Sequence, residues 1–166
     1  MTLSMYMVMS IDGITALSCD KDIHEYSSRE DSEFFLSELK KHDAVITGRV
    51  SARHRISLPR FVLTKKPDEQ PPVPGTTYLG GSAREIYSAV EKAGYKSVAL
   101  LGGASTNYAF LKEGLVDELF LTIEPLMLGK GIPLSVGGEL LAHWELSWVR
   151  RLNESGTLVL AYKRKD

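Results

Sequence analysis

The sequence predicts an α/β domain built on one mixed sheet. Short apolar runs alternate with amphipathic helical stretches through the middle of the chain, the pattern of parallel strands joined by right-handed crossovers. Two such units, Thr76 to Lys92 and Ser97 to Lys112, share a strand, glycine and helix layout. The closing stretch WELSWVRRLNESGTLVLAYKR reads as a hairpin turning around Asn153 to Gly156, which adds antiparallel strands at one edge.

The elements follow in order. Leu3 to Ser10 is a strand, ended by the Asp12-Gly13 turn. Thr15 to Tyr26 mixes Asp, Lys and His and is read as irregular. SSREDSEFFLSELKK is a helix with Ser28 as N-cap, Asp31 as a capping-type partner, and Phe34, Phe35, Leu36 and Leu39 as its apolar stripe. DAVITG is a buried strand, RVSARHR a short helical turn and RFVLT a strand. KKPDEQPPVPG is a surface loop rich in proline. TTYLGG is a strand, followed by a helix capped by Ser82 and closed by Gly94. KSVALLGG is a strand, STNYAFLKEG a helix and DELFLTIEPLM a long strand before the glycine loop LGKGIPL. Trp144 and Trp148 are expected on one face of the following strand by alternation.

The chain has 166 residues, read as a single domain over 1–166, with 43% hydrophobic and 25% charged residues. A net charge of -1 offers no footprint for nucleic acid. Cys19 is the lone cysteine, so the sequence holds no disulfide framework and favours a reducing cytoplasm. MTLSMYMVMS is too broken by polar residues for a signal segment, and no run reaches membrane-spanning length. His24, His42, His54 and His143 are scattered without zinc-ligand spacing. Walker A, G-x-S-x-G and zinc-deaminase motifs are absent, which argues against phosphate-loop, nucleophilic and deaminase chemistry.

Three constellations remain. In ITGRVS a strand ends at Gly48 and a helical turn opens with Arg49 and Ser51: a phosphate site, or a plain turn with a solvated Arg. In LLGGAST, Gly102-Gly103 stand where open α/β sheets bind ligands. Either the turn needs positive φ, with Ser105 as helix cap, or a ligand must approach the backbone closely. Ser10, Asp12, Ser28 and Asp31 follow the first strand and open the first helix. Asp31 is either a capping carboxylate or a ligand for a polar heterocycle.

Taken together, MSIDGITA, SSREDSEFF, DAVITGRVS and LLGGASTNYAFLKEGLVDELFLTIEPLMLGKGIPL resemble the dihydrofolate-reductase-like superfamily. Within it they are most similar to the reductase domain of riboflavin biosynthesis. The resemblance implies a three-layer α/β fold and NADPH as cofactor. Thr47, Gly48, Arg49 and Ser51 would hold its phosphate and ribose. Gly102, Gly103, Ala104, Ser105 and Thr106 would hold its diphosphate, and Thr64 and Lys65 the adenosine 2′-phosphate. Asp31 or Asp12 would orient the substrate and assist proton transfer, with Ser10 and Ser28 as polar contacts. Glu124 is either an outward strand residue or a substrate contact. The implied reaction is reduction of 5-amino-6-(5-phosphoribosylamino)uracil by a homodimer, with no metal, membrane or nucleic-acid partner. The D-D-P-type loop of that branch is missing after RVSARHR, and Asp31 with Phe35 resembles the D-x-x-x-F helix of dihydrofolate reductases. Dihydrofolate reduction and NADPH binding without catalysis are therefore the alternatives.

Overall fold

The computed structural model describes residues 1–19, 21–22, 25–53 and 56–165. The chain runs β1 (Thr2–Ser10), β2 (Ile14–Ser18), β3 (Lys21–Asp22), α1 (Arg29–Leu39), β4 (Ala44–Gly48), β5 (Arg60–Leu63), β6 (Thr76–Leu79), α2 (Ala83–Lys92), β7 (Ser97–Leu100), α3 (Ala104–Lys112), β8 (Glu118–Glu124), β9 (Ile132–Pro133), β10 (Trp144–Arg151) and β11 (Leu158–Arg164). Among the described residues the main sheet has eight strands, in the order β10-β11-β8-β1-β7-β4-β5-β6. The six strands from β8 to β6 are parallel, and β11 and β10 add antiparallel partners at one side. The mixed sheet expected from the sequence is therefore observed.

Strand alternation divides the core into two faces. Leu3, Met5, Ile46, Val98 and Leu100 pack with Ile86 and Val90 of α2 and Phe110 of α3. The intervening residues Tyr6, Val45 and Ala99 pack with Leu39 and Phe35 of α1. The result is three layers: α1, the sheet, then α2 with α3. Because the crossovers leave every parallel strand running the same way, their carboxyl ends lie along one edge. None of the described helices is long and apolar enough to cross a membrane.

Two local readings need correction. Residues 14–18 are a strand rather than irregular chain. β2 pairs with β3 and, across more than a hundred residues of sequence, with β9. Such a non-local pairing leaves no local periodicity to read. Trp144 and Trp148 lie on opposite faces: Trp144 packs beside the α2–α3 core, whereas Trp148 meets Phe34 and Phe120 on the α1 side. The register of β10 on β11 slips between Leu146 and Trp148. A bulge inserts one residue and reverses the alternation beyond it. RVSARHR contributes a short 3-10 turn at Ser51–Arg53, with residues 54 and 55 outside the described set.

The start of α1 is fixed by a buried carboxylate. Glu124, at the end of β8, is 3% exposed. It accepts hydrogen bonds from the Ser28 amide (2.7 Å), the Ser28 hydroxyl (2.8 Å) and the Thr157 hydroxyl (2.8 Å). Ser28 in turn caps α1 by accepting from the Asp31 amide at 3.2 Å. One side chain thus ties the first helix to β8 and to the closing hairpin. Glu124 is neither an outward residue nor an open contact; it is a bolt inside the structure.

At the other end of α1, His42 is buried between sheet and helix. Its Nε2 meets the Tyr6 hydroxyl at 2.9 Å and its Nδ1 meets the Ser97 hydroxyl at 2.9 Å. Burial pushes the imidazole below its ordinary value of 6.5.

Two outcomes are expected. Glu124→Ala leaves three donors without an acceptor and lowers unfolding free energy by on the order of 3 kcal/mol, measured by urea denaturation; Glu124→Gln costs less because it retains an acceptor. For His42 the unfolded chain binds the proton more readily than the folded one. Stability is therefore full above about pH 6.5 and falls as pH drops below it toward the lower folded value. Melting temperatures between pH 7.5 and 5 should fall in the wild-type chain and less in His42→Gln.

Candidate active site

The carboxyl ends of β4 and β7 meet backbone to backbone. The Gly48 amide donates to the Gly102 carbonyl at 2.7 Å, and the Leu101 amide donates to the Ile46 carbonyl at 2.9 Å. The buried Thr47 hydroxyl adds a bond to the same Gly102 carbonyl at 3.2 Å. Gly102 has φ +76°, the left-handed region in which a side chain is strained. A Cβ there would lie 3.3 Å from the Met7 sulfur.

Gly103 plays a different part. It is the N-cap of α3, in place of Ser105, and no side chain caps the helix. The first-turn amides of α3 are thus left without a side-chain acceptor. A Cβ on Gly103 would lie 3.3 Å from the Ser51 hydroxyl, and one on Gly48 would lie 2.6 Å from the Thr106 hydroxyl. Gly102 therefore serves the turn, whereas a side chain on Gly48 or Gly103 would crowd the Thr106 or Ser51 hydroxyl beside the N-terminus of α3.

This helix N-terminus lies in a cleft of about 1300 Å³ along the strand ends. That exceeds the roughly 300–1,000 Å³ usual for a pocket taking one drug-sized ligand. Gly48, Arg49, Ser51, Thr64, Lys65, Gly103, Ala104, Ser105 and Thr106 all line it. Arg49, Lys65 and Ser105 are exposed on its surface. Thr64 also shapes its own turn, its hydroxyl accepting from the Lys66 amide at 3.3 Å. Thr47 and Gly102 stand behind this lining and act through the backbone contact just described.

The same cleft contains Asp31. It lies in the first turn of α1, is 4% exposed, and lines the cavity with Phe34 and Phe35. Opposite are Tyr6 and Val8 of β1 and Phe120 and Thr122 of β8. In register Tyr6 faces Phe120 and Val8 faces Thr122.

The remaining sequence candidates support the cleft from outside it. Ser10 is fully buried; its hydroxyl donates to Asp12 at 2.6 Å and accepts from the Ile14 amide at 3.0 Å. Asp12 accepts from the amides of Leu128 and Gly129 at 3.2 and 2.7 Å. The Ser10 hydroxyl, then these amides, hold the Asp12 carboxyl below its ordinary value. Asp12 therefore docks the β8–β9 loop onto the β1–β2 turn rather than facing the cavity. That docking brings β9 beside β2, and Thr15, Ala16, Ser18, Cys19 and Ile132 form the cleft wall. Ser28 and Glu124 hold the start of α1 as described.

Sequence reasoning passed over Tyr6, Phe120, Thr122, Ile132 and Val136. Tyr6 carried a signal, since strand alternation puts it on one face with Ser4, Val8 and Ser10. Ile132 and Val136 carried none, because loop docking places them. His24 and His54 lie outside the described residues. Among the described residues no group of three or more His, Cys, Asp or Glu side chains is placed to hold a metal ion.

Residues 83–158 match the family model of the RibD C-terminal domain. The chain is 29% identical over 145 residues to the uncharacterized protein YwjB of Bacillus subtilis (strain 168), covering 78% of this chain and 80% of that protein. A pyrimidine reductase-like protein from Corynebacterium diphtheriae superposes with TM-score 0.81 at 16% identity, over 99% of this chain and 92% of its own. A dihydrofolate reductase from Enterococcus faecalis, complexed with NADP(H) and RAB-propyl, superposes with TM-score 0.73 at 21% identity, over 99% and 97% of the two chains. The stretch that matches the RibD C-terminal domain model thus takes in the glycine turn, the helix it opens and the strands that follow, and the whole chain has a dihydrofolate-reductase-like fold.

Proposed function

We propose that the protein is an NADPH-dependent reductase of a pyrimidine- or pteridine-type substrate, with 5-amino-6-(5-phosphoribosylamino)uracil as the first candidate. One observation carries this reading: a single cleft holds both a glycine-walled helix N-terminus and, beside an aromatic floor, a buried carboxylate. The RibD C-terminal match supports the reductase class.

The residues present fit the cofactor. A Cβ on Gly48 or Gly103 would crowd the N-terminus of α3, and the first turn of α3 offers amides to a diphosphate. Arg49 and Lys65 line the cleft as exposed cations suited to a 2′-phosphate, whereas Lys66 is tied to Glu69 at 2.8 Å. When bound, NADPH supplies the hydride. The chain positions the acceptor: Asp31 binds the amino and ring N–H groups of the heterocycle, and Tyr6, Phe35 and Phe120 give its ring a flat apolar surface. Dihydrofolate is the second candidate, favoured by Asp31 and Phe35 lining the cleft one helical turn apart.

We further propose that two copies pair along β10. It is one of the two outer strands of the main sheet, and Leu146 and Val149 are 50% and 57% exposed on it.

NADPH oxidation followed by absorbance, with the ribosylaminopyrimidine and dihydrofolate side by side and NADH as control, tests the reading. Turnover of neither substrate with NADPH bound would leave a binding module. Asp31→Asn should lower turnover about a hundredfold or more while NADPH affinity holds. Gly48→Ala should weaken NADPH binding about tenfold in a folded protein, by titration calorimetry. Light scattering should give twice the 18.4 kDa chain mass; a mass of one chain at working concentration would remove the pairing.

A further inference from the structure

The Tyr6 ring belongs to the floor of the cleft, whereas His42, buried behind it, is not among the cleft-lining residues. Tyr6 is 7% exposed and its ring borders the cavity. The ring lies flat on Phe120, with centroids 4.7 Å apart and planes 4° apart, and meets Phe35 edge-on at 6.1 Å. Phe35 is four residues beyond Asp31 on α1, so this aromatic group forms the floor one helical turn from the carboxylate.

The phenol oxygen is tethered away from the cavity. It meets His42 Nε2 at 2.9 Å, the imidazole stands edge-on to the phenol ring at 5.4 Å, and His42 Nδ1 meets the Ser97 hydroxyl at 2.9 Å. Asp43, next to His42, accepts from the Ser97 amide at 3.0 Å and so holds this turn against β7. A buried phenol needs a partner for its hydroxyl. The Tyr6 ring borders the cleft; without His42, a hydroxyl satisfied by solvent there would turn the ring off Phe120 and into the space of the substrate.

We propose that His42 is a positioning residue for substrate binding: with Ser97 it anchors the Tyr6 hydroxyl and so keeps the aromatic floor beside Asp31 flat and clear. The inference rests on the proposed reading of the cleft. Neutral imidazole serves this role, accepting a hydrogen bond from one hydroxyl and donating one to the other. A second proton on the ring makes both nitrogens donors and places a cation among Tyr6, Ser97 and the surrounding charges. Those charges are Glu38 on α1, Lys41 and Asp43 on the turn after it, and Glu118 on β8. Acidification should therefore weaken substrate binding before it touches cofactor binding.

The test is steady-state kinetics on the full chain with NADPH and 5-amino-6-(5-phosphoribosylamino)uracil, or dihydrofolate if that is the substrate turned over. At pH 7.5 His42→Leu should raise KM for the substrate about three- to tenfold, with kcat and the NADPH KM held within about twofold. His42→Gln, which can still bond the phenol, should stay near wild type. Adding Tyr6→Phe to His42→Leu should restore KM, because no hydroxyl remains to be satisfied. Tyr6→Phe alone covers the case in which His42→Leu does not fold, read by how its KM changes with pH and not by the absolute value. Between pH 7.5 and 5.5 the wild-type KM should rise, while those of His42→Gln and Tyr6→Phe should rise less. An unchanged KM in folded His42→Leu, no rescue by the double variant, or parallel pH profiles in all three proteins would overturn the role of His42. If the wild-type chain turns over neither substrate, the reductase reading fails first and this inference with it.

Discussion

Two strand ends touching backbone to backbone make the cleft possible. The Gly48 amide on the Gly102 carbonyl brings the ends of β4 and β7 together at 2.7 Å. The lack of side chains at Gly48 and Gly103 leaves the N-terminus of α3 open beside the contact. A methyl group would lie 2.6 Å from the Thr106 hydroxyl at Gly48 and 3.3 Å from the Ser51 hydroxyl at Gly103. The glycines' entropic cost is offset by the apolar strands behind them, where Ile46, Val98 and Leu100 are fully buried. The rigid part of the fold and the functional part therefore adjoin within a few residues.

Around that contact, polar side chains set the distances between layers. Glu124 locks the start of α1 to β8 and the hairpin, which places Asp31 at the cleft. Asp12 locks the β8–β9 loop to the first turn, which builds the opposite wall from β2 and β9. Both residues drew attention as carboxylates near a site. Their hydrogen bonds make them parts of the frame, and a loss of activity on mutating either would arrive through displaced neighbours. The same logic separates His42, which acts through Tyr6, from Asp31, which faces the cleft itself.

Much of the site was legible because its residues carry local conformational signatures. Gly48-Arg49 and Gly102-Gly103 follow buried apolar strands, and Ser28 with Asp31 begins a helix whose capping bond is observed. Local rules failed where a distant partner intervened. Ser105 had the chemistry of a cap, but the chain enters α3 two residues earlier, at Gly103. Trp144 and Trp148 had the spacing of one face, but a bulge near Ser147 put them on two. The small sheet of β2, β3 and β9 was illegible because its strands are short and its partners remote.

By itself the sequence determined the order of the helices and main-sheet strands, the parallel core with its antiparallel edge and the glycine turns at the strand ends. These depend on periodicity, capping and backbone freedom, which act over a few residues. Only the tertiary structure decided which carboxylate faces the cleft and which is consumed as a bolt, and which aromatic rings make its floor. Those outcomes depend on hydrogen bonds and packing between segments up to more than a hundred residues apart, such as Asp12 with Gly129 and Ser28 with Glu124, and no local pattern encodes a contact of that range.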